Sequence, residues 1–276
     1  MAQTFVGTLK TLWRYPVKSM QGEELETSDV GKKGLLGDRA YALWDVATSR
    51  VASAKNPKKW AALLNCDAKF AQTPDTSKPL PPVEMSLANG LHLSSEQADL
   101  NTHLSDWIGR EVEFLTSPLE TPILDQYWPD VEGRAYRNTV KELLMPTGTF
   151  FDSCPIHALT TATLAHLQTL YPTGNFALRR FRPNLLIETD SHATGFVEND
   201  WVGHMIRIGE SVTLQVDTCC PRCVVTTLAQ GELPEDLEIL KTTARHNNVI
   251  AGIRLSVKQG GTIHIGDRVS VEPLHN

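Results

Sequence analysis

The sequence predicts a mostly β protein with a few helices, arranged as a β-barrel with helices at its ends. Three observations carry this. Short β-prone runs recur between Gly, Pro and Asp turns, patterns at helical spacing are few, and no window reaches the ~18 apolar residues of a membrane helix. The 276 residues suffice for a large core, and apolar and charged fractions of 41% and 21% are those of an ordinary globular chain. A formal net charge of −6 speaks against nucleic acid or an anionic membrane surface as a partner, so any anion site must be local. Met1 to Gly7 carry neither the basic nor the apolar region of a signal peptide. The expected compartment is therefore the cytoplasm, where five cysteines, three of them clustered, stay reduced.

Residues 8–15 alternate as a strand and run into the turn Val17-Lys18-Ser19, and residues 36–45 form a second turn, Gly37-Asp38-Arg39, that leads into another strand. Each turn presents a cation. The proline-rich residues 73–82 can continue neither helix nor strand and link strands within the first half. Ser94 or Ser95 can cap a helix whose Leu100, Leu104, Trp107 and Ile108 share one face, with Gly109 ending it. Pro118, Pro122, Pro129 and Pro146 then interrupt regular structure, and the domain boundary is placed there, giving residues 1–120 and 121–276. Thr160 or Thr161 starts a helix carrying Leu164, Leu167 and Leu170, which Pro172-Thr173-Gly174 stops. Residues 185–188 read as an apolar strand, 201–209 as a hairpin and 212–216 as a half-buried strand. Residues 234–244 read as a helix with Leu237 and Leu240 inward, and 261–269 as a closing strand pair.

The chemistry concentrates in Cys219-Cys220-Pro221-Arg222-Cys223, between the strand at 212–216 and the β-branched run at 224–228. Such a bend can aim a thiolate into a pocket. A thiolate beside a permanent cation suits a soft or high-valent metal, a nucleophile or a redox pair, and the same cluster also suits three small buried hydrophobes. Lys18-Ser19, Asp38-Arg39, Arg179-Arg180-Phe181-Arg182-Pro183-Asn184 and Arg222 each lie at a turn or strand end. Converging, they would form a pocket for phosphate; dispersed, they would be surface ion pairs. Zinc would need a fourth ligand, for which His204 and His246 are poorly spaced. A thioredoxin-type use of Cys220 and Cys223 would need a helix start where Val224-Val225-Thr226-Thr227 favours extended chain. His157, His166 and His192 read as surface or core residues.

Tyr15-Pro16-Val17-Lys18-Ser19, Gly37-Asp38-Arg39, Phe151-Asp152-Ser153-Cys154-Pro155, Phe181-Arg182-Pro183-Asn184, Trp201 to Gly209, Cys220-Pro221-Arg222-Cys223 with Thr226-Thr227, and Gly261 to Asp267 resemble an ordered family signature. It is that of MOSC-domain proteins, named for the molybdenum cofactor sulfurase C-terminal domain, with their N-terminal β-barrel companion. The plan is similar to that of the amidoxime-reducing components and their bacterial relatives. The resemblance implies a MOSC β-barrel plus an N-terminal β-barrel-like domain, with a molybdenum cofactor (Mo-molybdopterin) between them. It implies Cys223 as the metal ligand, Lys18, Ser19, Arg39, Arg182, Asn184 and Arg222 as holders of the pterin and its phosphate, and Ser153 and Cys154 as a short contact segment. Asp152 would be the acidic residue beside the metal, orienting water or relaying a proton, and so catalytic together with Cys223.

The function implied is that of a molybdenum-dependent oxidoreductase reducing small N-hydroxylated compounds by two electrons. No ferredoxin-type cysteine set follows Asp267, so the electrons would come from a separate donor protein, ferredoxin-like or a flavin or haem reductase. The membrane anchor of the mitochondrial members is not expected. The alternatives are a cofactor carrier or sulfur-delivery protein using a Cys223 persulfide, and a binding module without turnover. Cys154 stands where close relatives have a hydroxyl residue, Pro221 removes an N–H, and Arg254 takes the place of an aromatic residue. Substrate scope is left open, as are the roles of Cys219 and Cys220.

Overall fold

The computed structural model describes residues 3–131 and 137–273; Met1, Ala2 and residues 274–276 lie outside them. Seven strands close a barrel in the order Thr4–Arg14, Arg268–Glu272, Met205–Ile208, Val212–Pro221, Ile250–Gln259, Ile156–Thr160, Leu185–Thr189 and back to Thr4–Arg14. Neighbours are antiparallel except Ile156–Thr160 with Leu185–Thr189. A parallel pair needs a crossover, which the helices Thr161–Leu170 and Leu178–Phe181 supply. The register of Thr4–Arg14 slips between Leu9 and Thr11, and this bulge turns both Leu9 and Leu12 into a core shared with Ile156, Ile187, Leu214 and Val269. The first strand of the chain is thus a stave of a barrel otherwise built from the second half.

The remainder of the first half folds about Val17, Met20, Tyr41, Leu43, Trp60 and Leu63. Two three-stranded sheets enclose this core: Val112–Leu115, Ala42–Asp45 and Arg50–Val51, and Asp67–Phe70, Val83–Ser86 and His92–Ser94. The proline-rich residues 73–82 connect Asp67–Phe70 to Val83–Ser86. The helix Leu100–Ile108 buries Leu100 and Leu104 and ends at a left-handed Gly109. It begins after Asp99 because Ser94 belongs to a strand and the Ser95 hydroxyl accepts from Val83 N–H.

Beyond that helix start, five local expectations are corrected. Residues 201–209 are not a hairpin in themselves: Trp201 ends a 3-10 turn, and Met205–Ile208 is one strand that pairs with Val212–Pro221 and Arg268–Glu272. Pro122 and Pro129 flank the strand Ile123–Trp128 and Pro146 follows Thr139–Leu144, so the prolines frame an antiparallel hairpin instead of abolishing one. Gly261–His264 pairs with Thr27–Gly31, and Arg268–Glu272 pairs with the barrel, so the two do not pair with each other. The helix expected from 234 starts at Glu238. Val224–Thr227 is a 3-10 turn, because Thr226 and Thr227 hydroxyls donate back to the Cys223 and Val224 carbonyls at 3.0 and 2.8 Å. Among the described residues no helix is long and apolar enough to cross a membrane.

Candidate functional site

The two halves meet at a cleft of about 760 Å³, its open mouth included, lined by loops at the barrel rim and by turns of the N-terminal half. Every residue named above as catalytic or cofactor-binding lines it: Lys18, Ser19, Arg39, Asp152, Ser153, Cys154, Arg182, Asn184, Arg222 and Cys223. Small contacts among Ala54, Leu64, Val224 and Leu228 join the N-terminal half to the loop after Cys223. The cysteine loop is therefore held from both sides.

Backbone geometry places the cations. Ser19, Arg39 and Arg182 all adopt positive φ, 69°, 46° and 52°, so each chain reverses where its side chain enters the cleft. Asp38 organises one wall: its Oδ1 accepts from Tyr15 N–H at 2.8 Å, and its Oδ2 accepts from Arg39 Nη1 at 2.5 Å and Asn184 Nδ2 at 3.0 Å. Asn184 Oδ1 accepts from His157 N–H, so this amide is spent on fixing Asp38 and the barrel rim. The Arg39 and Arg182 guanidiniums lie 4.3 and 4.4 Å from the Tyr15 ring centroid. Burial pushes the Tyr15 phenol up to about 12 despite these cations, so the ring stays neutral. Burial brings Arg182 down to about 10, which still leaves it charged at neutral pH.

Asp152 accepts from Lys18 Nζ at 2.5 Å and lies 3.5 Å from Lys55 Nζ. Burial would raise its carboxyl, but Lys18, Lys55 and Arg39 outweigh that and hold it well below the usual range. Burial in turn lowers Lys18, which also donates to the Phe150 carbonyl. Arg222 donates from Nη2 to Phe181 O and from Nη1 to Cys220 Sγ. Cys223 follows in extended backbone at the start of the 3-10 turn, its carbonyl capped by Thr226. Five cationic side chains and one carboxylate line the cleft of a chain whose net charge is −6. Arg182 Nη1 and Arg222 Nε are buried without a hydrogen-bond partner. Such a wall has donors left over for an anion.

The cleft also contains Ser53, Lys55 and His157, which no motif flagged. Lys55 is brought in only by tertiary packing, and the proline two residues on is the sole local cue to its turn. Arg180, in contrast, sits inside the basic motif but faces away from the cleft and bonds to backbone carbonyls. Among the described residues no three His, Cys, Asp or Glu side chains come together as metal ligands.

Comparison with known proteins gives two family matches: the MOSC N-terminal beta barrel domain over residues 6–76 and the MOSC domain over residues 146–270. Mitochondrial amidoxime reducing component 2 of Homo sapiens is 26% identical, the match covering 96% of this chain and 83% of that protein. Mitochondrial amidoxime-reducing component 1 of Homo sapiens is 27% identical, over 96% of this chain and 82% of that protein. The solved YUAD protein from Bacillus subtilis superposes with a TM-score of 0.49 at 11% identity, covering 99% of this chain and 100% of that one.

Proposed function

The chain is a MOSC-domain protein with a MOSC N-terminal β-barrel domain, similar to the amidoxime reducing components, and from that premise we propose that its cleft holds a molybdenum cofactor and reduces N-hydroxylated compounds. The observation that carries the reading is the convergence of five cations, two of them with unpartnered buried N–H groups, around the Cys223 thiol. A phosphate-bearing group matches the surplus of donors, and Cys223, one of three cysteines lining the cleft with Cys154 and Cys220, is the thiol that in this reading completes the sulfur ligands a metal brings with it. When bound, the cofactor supplies the metal and dithiolene at which a two-electron reduction of an N–O bond takes place.

In this reading Cys223 ligates the metal, while Lys18, Ser19, Arg39, Arg182 and Arg222 hold the phosphate and pterin and Ser153 and Cys154 make a short contact. Asn184 acts by fixing Asp38 and through it Arg39. Asp152, ionised between two ammonium groups, can accept a hydrogen bond from water and orient it, the water-orienting role being the one its firmly ionised state suits. Small N-hydroxylated molecules enter through the open mouth, and a separate donor protein provides electrons. The domains taken as residues 1–120 and 121–276 then form the two walls of the cofactor site.

The test uses protein from a host that makes the cofactor. We expect molybdenum and pterin to co-purify with the wild type and with Cys219→Ala, and to be lost from Cys223→Ala. Equal metal content in the two variants overturns the ligand assignment. Benzamidoxime reduction per molybdenum, driven by a chemical reductant, then separates reductase from carrier. Metal retained without turnover selects the cofactor-carrying or sulfur-delivery alternative.

A further inference from the structure

Cys220 has no part in that reaction, yet its surroundings differ from those of the other cysteines. It is the penultimate residue of the strand Val212–Pro221, is 8% exposed, and borders the cleft. Its sulfur accepts from Arg222 Nη1 at 3.0 Å, and that same nitrogen lies 3.2 Å from His157 Nε2. The imidazole reaches this position because residue 252 is glycine. At φ +88°, a Cβ on Gly252 would stand 2.5 Å from His157 Nε2 and 2.5 Å from Ala158 O. The adjoining strand is thus cut away to seat a histidine ring beside a thiol.

The charged and titratable neighbours of Cys220 are His157, Arg222 and Arg254, with the Cys154 and Cys219 thiols alongside. Burial would raise Cys220, but His157, then Arg222 and Arg254, outweigh it and hold the thiol well below its usual range. Burial instead pushes Cys66 up to about 12 and Cys154 up to about 11, and it raises Cys219. Arg222 Nε and Arg254 Nε are both buried and unpartnered, so positive charge at this wall is in surplus.

We infer that Cys220 is a modification site: its sulfur, hydrogen-bonded by Arg222 with the His157 ring seated alongside, is reached through the cleft by small hydroperoxides. The sulfur attacks the terminal oxygen of R–O–O–H, the S–O bond forms as the O–O bond breaks, and the thiolate becomes a sulfenic acid. The leaving alkoxide RO⁻ carries away the electron pair and takes a proton from water. Oxidation removes the negative partner of Arg222 Nη1 and hands a further free donor to the anion wall. None of this requires the proposed cofactor.

The full-length protein is treated with limiting hydrogen peroxide at neutral pH in the presence of dimedone, and the adducts are mapped by mass spectrometry. Cys220 should be labelled about tenfold faster than Cys66, Cys154 or Cys219, the gain expected of a standing thiolate offset by its lower nucleophilicity. His157→Leu and Gly252→Ala, which remove and displace the ring, should each slow Cys220 severalfold. Wild-type protein supplies an independent reading that needs no variant to fold: iodoacetamide should alkylate Cys220 at a rate nearly flat between about pH 6 and 8, while Cys219 accelerates. Labelling first at Cys223 or any other cysteine, or a Cys220 rate that climbs with pH like a free thiol, overturns the inference.

Discussion

Glu198 shows how much a single side chain can be asked to bear without belonging to any motif. It is wholly buried behind the barrel rim, where Oε2 accepts from the Thr160 and Thr163 hydroxyls at 2.7 Å each and Oε1 has no partner. Burial raises its carboxyl above the ordinary range, more than the two hydroxyls lower it. A carboxyl raised on folding lends stability that is complete below its unfolded value, near about 4.3, and is lost as pH rises through the folded value. Glu198→Gln keeps the shape and the acceptor but cannot ionise. Urea unfolding from about pH 5 to 9 should therefore show the variant gaining on the wild type as pH rises, by at most about 1.4 kcal/mol per pH unit. A difference constant with pH would show that the wild-type carboxyl pays no ionisation cost. Sequence reading passes over Glu198 and Lys55, and takes His157 only as a surface or core residue, for one reason: their surroundings come from residues far away along the chain. Lys18, Arg39 and Arg182 were legible because each occupies a recognisable turn.

At the scale of the element, the turn that carries Cys223 is held by an arginine that looked like a ligand. Arg180 is fully buried, and its guanidinium donates to the carbonyls of Asn175, Thr226, Leu228 and Pro234 at 2.7–3.2 Å. It ties the helix Leu178–Phe181 to both ends of the segment following Cys223. Arg180→Met preserves length and apolar packing but strands four carbonyls, so we expect a loss of about 3 kcal/mol or more in denaturant unfolding. A loss under about 1 kcal/mol would mean that water replaces the guanidinium. The same segment shows where propensity misleads. Val224 to Thr227 are β-branched and read as extended, yet both threonine hydroxyls find carbonyls one turn back, and local hydrogen bonding overrides a weak preference. The helices Leu100–Ile108 and Thr161–Leu170 were legible because their ends carry Gly109 and Thr160, residues whose chemistry marks a terminus.

At the scale of the whole molecule, the sequence-based picture of a barrel was right in kind, and what it lacked was the order of the staves. Pairing partners separated by most of the chain leave no local trace: Thr4 faces Val271 and Leu9 faces Ile187. The segregation of charge was equally hidden, since an acidic chain gathers five cations at one cleft only after its turns have converged.

That first stave has a consequence for how the molecule is made. During vectorial synthesis the strand Thr4–Arg14 emerges first but cannot complete its ladders until Leu185–Thr189 and finally Arg268–Glu272 have followed it. Its apolar residues must wait while the N-terminal half folds beside them. A circular permutant that joins the chain near residue 273 to residue 3 and opens it in the turn at Thr147-Gly148 would place all seven staves in one continuous stretch, with the rest of the first half in another. Stopped-flow refolding should be faster in the permutant, on the order of tenfold, with equilibrium stability close to that of the natural order. Equal refolding rates would show that closing the barrel across the length of the chain is not what limits its assembly.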